Sequence, residues 1–322
     1  MKDQDVIIDF KTRREFGGLQ INWLKNNYAK SFNVLLSEDG KKWEKVYSVQ
    51  SNQSDVSFIR LPEAEAKYVK IDLTKSNSEK GFGMCGVKFL DIKSSITPND
   101  FLIYTAKNSP AGNYPRYFSE QASYWTITGV NYDVKEALIN EDGMVEVDKA
   151  RFSIEPMIKV GDSLYNWSNV RSVQSLGSSE NKSEFNFVPS VSWRCNDLKF
   201  VTGVTAGGEA NKNSILNISY SFNNLSDQPK DFEFYLLIRP YQVNPYYQFL
   251  NLSGGVGKIN SIKEEGSTSL VIDDKVLLSG KKYDSFGAGI FDEGNIVDLL
   301  RKGNIPLNKF AVDQSGLANG II

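Results

Sequence analysis

Apolar and polar residues alternate with a period of two along most of the chain, the spacing of strands that bury one face and wet the other. Leu216, Ile218, Tyr220 and Phe222 alternate with Asn217, Ser219, Ser221 and Asn223, and a polar stretch through Asp227, Gln228 and Pro229 leads into the apolar run 232–238. This pattern predicts a β-hairpin. Further strands are predicted at 6–10, 19–23, 32–36, 43–49, 56–59, 68–73 and 87–92, separated by Gly, Asn, Asp and Ser clusters. Strands of this kind and spacing build an all-β sandwich. One segment breaks the pattern: Ile296, Val297, Leu299 and Leu300 fall at helical spacing, with Asp292 as N-cap, Arg301 and Lys302 in the last turn, and Gly303 and Pro306 to end it. One short helix is predicted there. The polar, Pro-containing stretch 93–100 is the expected boundary between a first sandwich at 1–93 and a larger antiparallel sandwich at 97–322.

Composition adds limits. The chain has 322 residues, 40% hydrophobic and 12% aromatic, enough for two cores. A net charge of -2 makes no electrostatic case for nucleic acid or an anionic membrane, and neutral partners fit better. There is no histidine, which removes Ser-His-Asp and Cys-His mechanisms and the commonest metal ligand. Cys85 and Cys195 stand far apart with no second Cys at metal-binding spacing, so neither a zinc site nor a disulfide framework is expected, and both are predicted to be small buried residues. The first five residues carry no apolar segment of a signal peptide, and no run reaches membrane-spanning length. No cofactor or metal is expected.

Several strings occur in a telling order over residues 1–93. They are Gly18-Leu19-Gln20-Ile21-Asn22-Trp23, then Ser37-Glu38-Asp39-Gly40-Lys41-Lys42-Trp43 after Phe32-Asn33-Val34-Leu35-Leu36, then Glu65-Ala66-Lys67-Tyr68-Val69-Lys70-Ile71, then Gly81-Phe82-Gly83. Together they resemble a discoidin domain, also called coagulation factor 5/8 type C. The resemblance implies a jelly-roll sandwich, here truncated because the part matching its first strand is missing, and a family in which many bacterial members bind carbohydrate through loops at one end. Asp39-Gly40 suits a tight hairpin turn, with Trp43 starting the returning strand. From about Asp100 onward, Tyr114-Pro115-Arg116-Tyr117-Phe118-Ser119-Glu120, Phe152-Ser153-Ile154-Glu155-Pro156, Ile238-Arg239-Pro240-Tyr241-Gln242-Val243-Asn244-Pro245 and Phe291-Asp292-Glu293-Gly294 resemble the middle region of large bacterial discoidin-containing proteins. In those, a β-supersandwich precedes an (α/α)6 barrel similar to glucoamylases. That resemblance implies a secreted, periplasmic or cell-surface parent whose helical barrel, and with it the catalytic acid and base, lies beyond this chain.

Sugar recognition needs aromatic faces for pyranose rings and planar polar groups for hydroxyls. Two stretches supply both, and the candidate residues are Arg116, Tyr117, Glu120 and Trp125 in the first, and Arg239, Tyr241, Asn244 and Tyr247 in the second. Trp167, in a polar turn-like setting, is a further candidate. The alternative is that these aromatics pack a core or a domain interface, making the chain a structural or protein-interaction module. A third class is a glycosidase using carboxylates such as Glu120 or Glu155, which would need two of them facing each other roughly 5 to 9 Å apart. The adjacent pairs Glu141-Asp142 and Asp292-Glu293 read instead as a turn and a helix start. Trp23 and Trp43 are assigned to the first core, and Trp125 and Trp193 to the second or its edge. Phe82 and Met84 are ligand contacts if exposed and packing residues if buried. The glycine strings at 203–208, 254–257 and 287–289 are expected to be turns and bulges, since none is followed by a P-loop Lys-Ser/Thr.

Overall fold

Each expected strand falls within an observed one, apart from its ends, but the strands are longer and paired less locally than alternation alone implies. The computed structural model describes residues 4–178 and 187–322. Its chain divides into two compact units, Met1–Ser109 with Ile290–Lys302, and Pro110–Gly289 with Gly303–Ile322.

In the first unit, β1 (Gln4–Trp23), β2 (Ala29–Ser37), β3 (Glu44–Val49), β4 (Val56–Ser76) and β5 (Met84–Leu90) form an antiparallel sheet in the order β3-β2-β4-β1-β5. The runs 6–10 and 19–23 are one strand, as are 56–59 and 68–73. The β1–β4 register shifts between Asp9 and Arg14 and again between Phe16 and Gly18, and Lys11 and Glu63 turn to φ values of 67° and 61°. Such bulges bend a ladder without ending it. Both halves of β1 therefore serve one core, in which Trp23 meets Phe32 at 5.3 Å and Phe10 meets Phe89 at 4.7 Å. Phe82 and Met84 pack half-buried against the same core.

The Asp39-Gly40 turn forms as expected. Asp39 Oδ1 accepts from the Lys41 and Lys42 amides at 2.8 Å, Gly40 takes φ 69°, and β2 pairs with β3 across it. Trp43 is not in the core. It precedes β3 in the loop and lies half-buried with the Lys70 ammonium 4.8 Å from its ring centre. Cys85 is exposed, because alternation along the edge strand β5 turns it outward, whereas Cys195 is buried as expected.

Two α-helices occur among the described residues where one was expected. The stretch expected to be a boundary opens α1 (Pro98–Lys107). Thr97 Oγ1 accepts from the Asp100 amide at 3.2 Å and the Thr97 amide donates to Asp100 at 2.9 Å, a reciprocal capping box. The second, α2 (Ile296–Arg301), is capped by Asn295, whose side chain accepts from the Val297 amide at 2.9 Å. Asp292, the expected cap, lies one turn earlier in a 3-10 segment. Its carboxylate accepts from Tyr47 Oη at 2.9 Å, and the Gln53 amide donates to the Glu293 carbonyl at 2.8 Å, which fastens this excursion to the first unit.

The strands of the second unit begin with β6 (Trp125–Thr128), β7 (Ala137–Asn140), β8 (Val145–Glu146), β9 (Ser153–Val160) and β10 (Ser163–Tyr165). Next come β11 (Arg171–Ser178), β12 (Phe187–Cys195), β13 (Leu198–Gly208), β14 (Ser214–Asn224) and β15 (Glu233–Arg239). The last are β16 (Ser261–Glu264), β17 (Ser269–Ile272), β18 (Lys275–Leu278), β19 (Gly287–Gly289), β20 (Phe310–Val312) and β21 (Asn319–Ile321). They make three antiparallel sheets in the orders β19-β21-β15-β9-β8-β7-β6, with β10 on β9, then β11-β12-β13-β14, then β18-β17-β16-β20. The first two face each other across Ile139, Val145, Ile158, Val191, Trp193, Phe200 and Val204.

The expected hairpin over 216–238 does not form. β14 pairs with β13 and β15 pairs with β9, so the two runs lie in different sheets and meet through side chains, Phe234 reaching Tyr220 at 5.1 Å and Phe222 at 5.0 Å. Alternation fixes which residues face inward; it does not choose the neighbouring strand. Two of the three glycine strings are likewise strand rather than turn, in β13 and β19.

Candidate functional site

The two stretches chosen for sugar recognition converge in the second unit. A 3-10 turn at Arg116–Ser119, closed by Glu120 in the left-handed region at φ 59°, points Tyr117 and Phe118 inward. They join Tyr114, Tyr241 and Tyr246 in one aromatic cluster, with Phe118 5.7 Å from Tyr241 and stacked on Tyr246 at 6.2 Å. Tyr117 Oη donates to the Gln242 carbonyl at 2.7 Å, which ties the turn to the loop after β15. Burial pushes that phenol well above its ordinary value.

Below this cluster lies a second layer of buried charge. Arg239, 2% exposed, is held by both carboxylate oxygens of Glu155, and Nη1 also donates to the Asn113 carbonyl. Its guanidinium lies 5.0 Å from the Tyr241 ring centre. Glu146 accepts from the amides of Val243 at 2.8 Å, Asn244 at 3.1 Å and Ala150 at 2.9 Å, and burial still lifts its carboxyl to about 7. Tyr117, Arg239, Tyr241 and Asn244 are all buried, and the Asn244 side-chain oxygen makes no hydrogen bond. Their place is the floor that positions the surface, with no face open to a ligand.

The surface itself is built by residues 123–125, 141 and 246–249. Trp125 Nε1 donates to Gln248 Oε1 at 2.9 Å, the Ser123 amide donates to Tyr247 Oη at 3.2 Å, and the Tyr124 amide donates to Glu141 Oε2 at 3.0 Å. Tyr247 meets Tyr246 edge-on at 5.2 Å. Tyr124, Tyr247 and Phe249 are 68%, 48% and 73% exposed, and Trp125 is half-buried. Two of these rings, Trp125 and Tyr247, are thus held at their polar edges by the other segment, and with the exposed Tyr124 and Phe249 they make up an aromatic shelf. Of the predicted residues, Trp125 and Tyr247 belong to this shelf, and Glu120 is exposed at the end of the 116–119 turn, within the 114–125 stretch.

Arg116 and Trp167 form a neighbouring pair. Arg116 holds Asp142 with two hydrogen bonds, lies 3.5 Å from Glu141, and places its guanidinium 5.3 Å from the Trp167 ring centre. Trp167 Nε1 donates to the Tyr114 carbonyl at 2.9 Å. Burial pushes the Asp142 carboxyl up to about 6, against the pull of Arg116. Glu141-Asp142 is the turn expected from sequence, closed by the Gly143 amide donating to the Asn140 carbonyl at 3.1 Å.

Tyr124 and Phe249 were not singled out. The signal was present in Phe249-Leu250-Asn251-Leu252-Ser253-Gly254, where apolar residues stand in a run of turn formers with no strand pattern to bury them. A cleft of about 500 Å³ lies elsewhere in this unit, walled by Ile154, Ile215, Leu216, Ile218, Val276 and Leu278 among others. Its one aromatic residue, Phe152, is buried, so it offers no open aromatic face to a pyranose ring.

Comparison with known proteins bears on the first unit. Residues 1–86 match the F5/8 type C domain. The N-terminal unit is discoidin-like. No curated protein matches the chain. Among solved structures, chitosan-binding module 2 with chitotriose, from a chitosanase/glucanase of Paenibacillus sp. IK-5, is 19% identical with a TM-score of 0.26, covering 27% of this chain and 68% of that one. Chitosan-binding module 1 of the same enzyme is 20% identical with a TM-score of 0.26, covering 28% and 69%.

Proposed function

We propose that this chain is a carbohydrate-recognition and scaffold region, and that polysaccharide lies on the shelf of Tyr124, Trp125, Tyr247 and Phe249. The observation that carries this reading is the pinning of two rings from remote segments, Trp125 and Tyr247, by hydrogen bonds at their edges, next in sequence to the exposed Tyr124 and close to the exposed Phe249. A ring fixed before the ligand arrives loses little entropy on binding, and its apolar face matches the C–H face of a pyranose. Gln248 and Glu141 stand beside the rings as hydroxyl partners. The F5/8 type C match over residues 1–86 supports a carbohydrate-binding role for the first unit. In this proposal the parent is a larger, exported glycoside-active protein, and residues 97–322 act as a supersandwich that carries a helical catalytic barrel.

Affinity electrophoresis through gels containing soluble β-glucans, chitosan or host-type glycans tests the reading. The full chain is expected to be retarded by at least one of them. Trp125→Ala, Tyr247→Ala and Phe249→Ala are each expected to weaken binding about tenfold, the cost of removing one well-packed contact ring. No retardation in any gel, or unchanged retardation in all three variants, would remove the shelf as a binding site.

A further inference from the structure

The strand β14 is an unprotected edge. Ser-Ile-Leu-Asn-Ile-Ser-Tyr-Ser-Phe-Asn-Asn, residues 214–224, contains no charge, proline or glycine. It pairs with β13 over all eleven residues without a register shift, and its other side has no strand neighbour among the described residues. Exposed edges are usually blunted by charge, brevity or bulges, because their unpaired amides and carbonyls recruit other strands. The other edges in this protein follow that rule. β3 carries Glu44 and Lys45, β5 carries Lys88, β11 carries Arg171 and β18 carries Lys275, while β6, β19 and β20 are four residues or fewer. β14 alone among these is long, regular and uncharged. Its inward row, Leu216, Ile218, Tyr220 and Phe222, is only half-buried although it packs on the core, and Ile215 is 59% exposed.

We infer that β14 pairs antiparallel with β14 of a second copy of this chain, about a two-fold axis through Ser219. The strand is self-complementary in that register. Ser219 stands opposite Ser219 of the second copy, Ile218 opposite Tyr220, Asn217 opposite Ser221, and Leu216 opposite Phe222. Directly opposed residues share a face, so over 216–222 the apolar row continues into an apolar row and the polar row into a polar row. With no charge in the strand, the symmetry brings no like charges together. The four-stranded sheets of two copies become one continuous sheet of eight, an isologous interface. The same register carries the Phe222 end of one copy to the Ser214–Ile218 end of the other. There the aliphatic cleft opens beside Ile215, Leu216 and Ile218. A second copy is favoured over a foreign strand because the seven central positions, 216–222, match face to face in the symmetric register with no like charges opposed, and only Ile215 opposite Asn223, at the margin, departs from it.

Sedimentation velocity on the full chain, up to about 1 mM, reads the oligomeric state. The wild type is expected to sediment at twice the chain mass. Ser219→Lys and Ser219→Glu alter an exposed side chain and are each expected to be monomeric, because each sets like charges across the axis. Their equimolar mixture is expected to recover the dimer. Ser219→Cys in a Cys85→Ser background keeps the serine's shape, and a short bismaleimide is expected to cross-link it into a dimer through residue 219. A wild type that stays monomeric overturns the proposal, as does a dimer that persists in Ser219→Lys or a Ser219→Cys chain that does not cross-link.

Discussion

Arg239 is the largest fully buried side chain among the described residues, and replacing it with methionine isolates what a buried charge costs here. The substitution keeps most of the volume but removes the bidentate pair with Glu155 and the bond to the Asn113 carbonyl. Glu155, 5% exposed, then retains only Ser153 Oγ, at 3.1 Å, among its hydrogen-bond donors. Breaking one side of a buried ion pair costs about 3–5 kcal/mol, since the orphaned charge keeps its desolvation penalty. For a unit of about 200 residues, each kcal/mol lowers Tm by roughly 2–4 °C, so Arg239→Met is expected to melt about 6–20 °C below wild type. The Arg239→Met/Glu155→Gln double variant removes both charges and is expected to recover most of that loss, giving a coupling energy above about 2 kcal/mol. Calorimetric melts of the four members of the cycle check both expectations. A single variant within about 1 kcal/mol of wild type, or a double variant as unstable as the sum of the singles, would refute the assignment of Arg239 to the floor.

Two further predictions concern stability. Thr97→Ala removes the cap of α1 and is expected to cost about 1 kcal/mol in urea unfolding, and an unmoved midpoint would show that the capping box contributes nothing. Burial holds Glu146 at about 7 and Asp142 at about 6, above their unfolded values near 4. Between roughly pH 4 and 7 the folded chain therefore binds the more protons, and this share of stability is present at the acidic end and lost as pH rises through the folded values. Glu146→Gln is expected to flatten the fall in urea midpoint between pH 5 and pH 8, and a variant whose midpoint tracks wild type across that range would contradict the buried titration.

Much of the β-structure was legible because period-two patterning is a local property. The Asp39-Gly40 turn and the 296–301 helix were legible for the same reason, each being decided by residues a few positions apart. What failed was non-local or depended on a single competing signal. Thr97 and Asp100 carry a capping box, but Pro98 and the surrounding polar residues looked like a linker, and α1 was missed. The bends at Lys11 and Glu63 leave no glycine behind, so one bent strand looked like two. Phe232–Ile238 alternates as a hairpin partner of β14 should, yet its amides pair with β9, and only tertiary packing makes that choice. At the shelf, composition identified two stretches that converge in the fold and could not sort them by depth. Arg239 and Asn244 looked like surface chemistry because charge and amide groups seldom go inside; Glu155 makes the burial of Arg239 tolerable, while Glu146 anchors only the backbone amide of Asn244.

The assignment of Ile290–Lys302 to the first unit has a consequence for how the chain is made. Ribosomes add about 5–20 residues per second, so roughly 10–40 s separate the release of Ser109 from that of Lys302. Through that interval the nascent first unit lacks Val297, Leu299 and Leu300, which are buried in the finished protein. Nearly all of the second unit is synthesised while the first waits for its last helix. A gene cut after residue 109 would encode a permanently unfinished first unit, and Ile290–Lys302 added back as a separate peptide is the natural means of completing it.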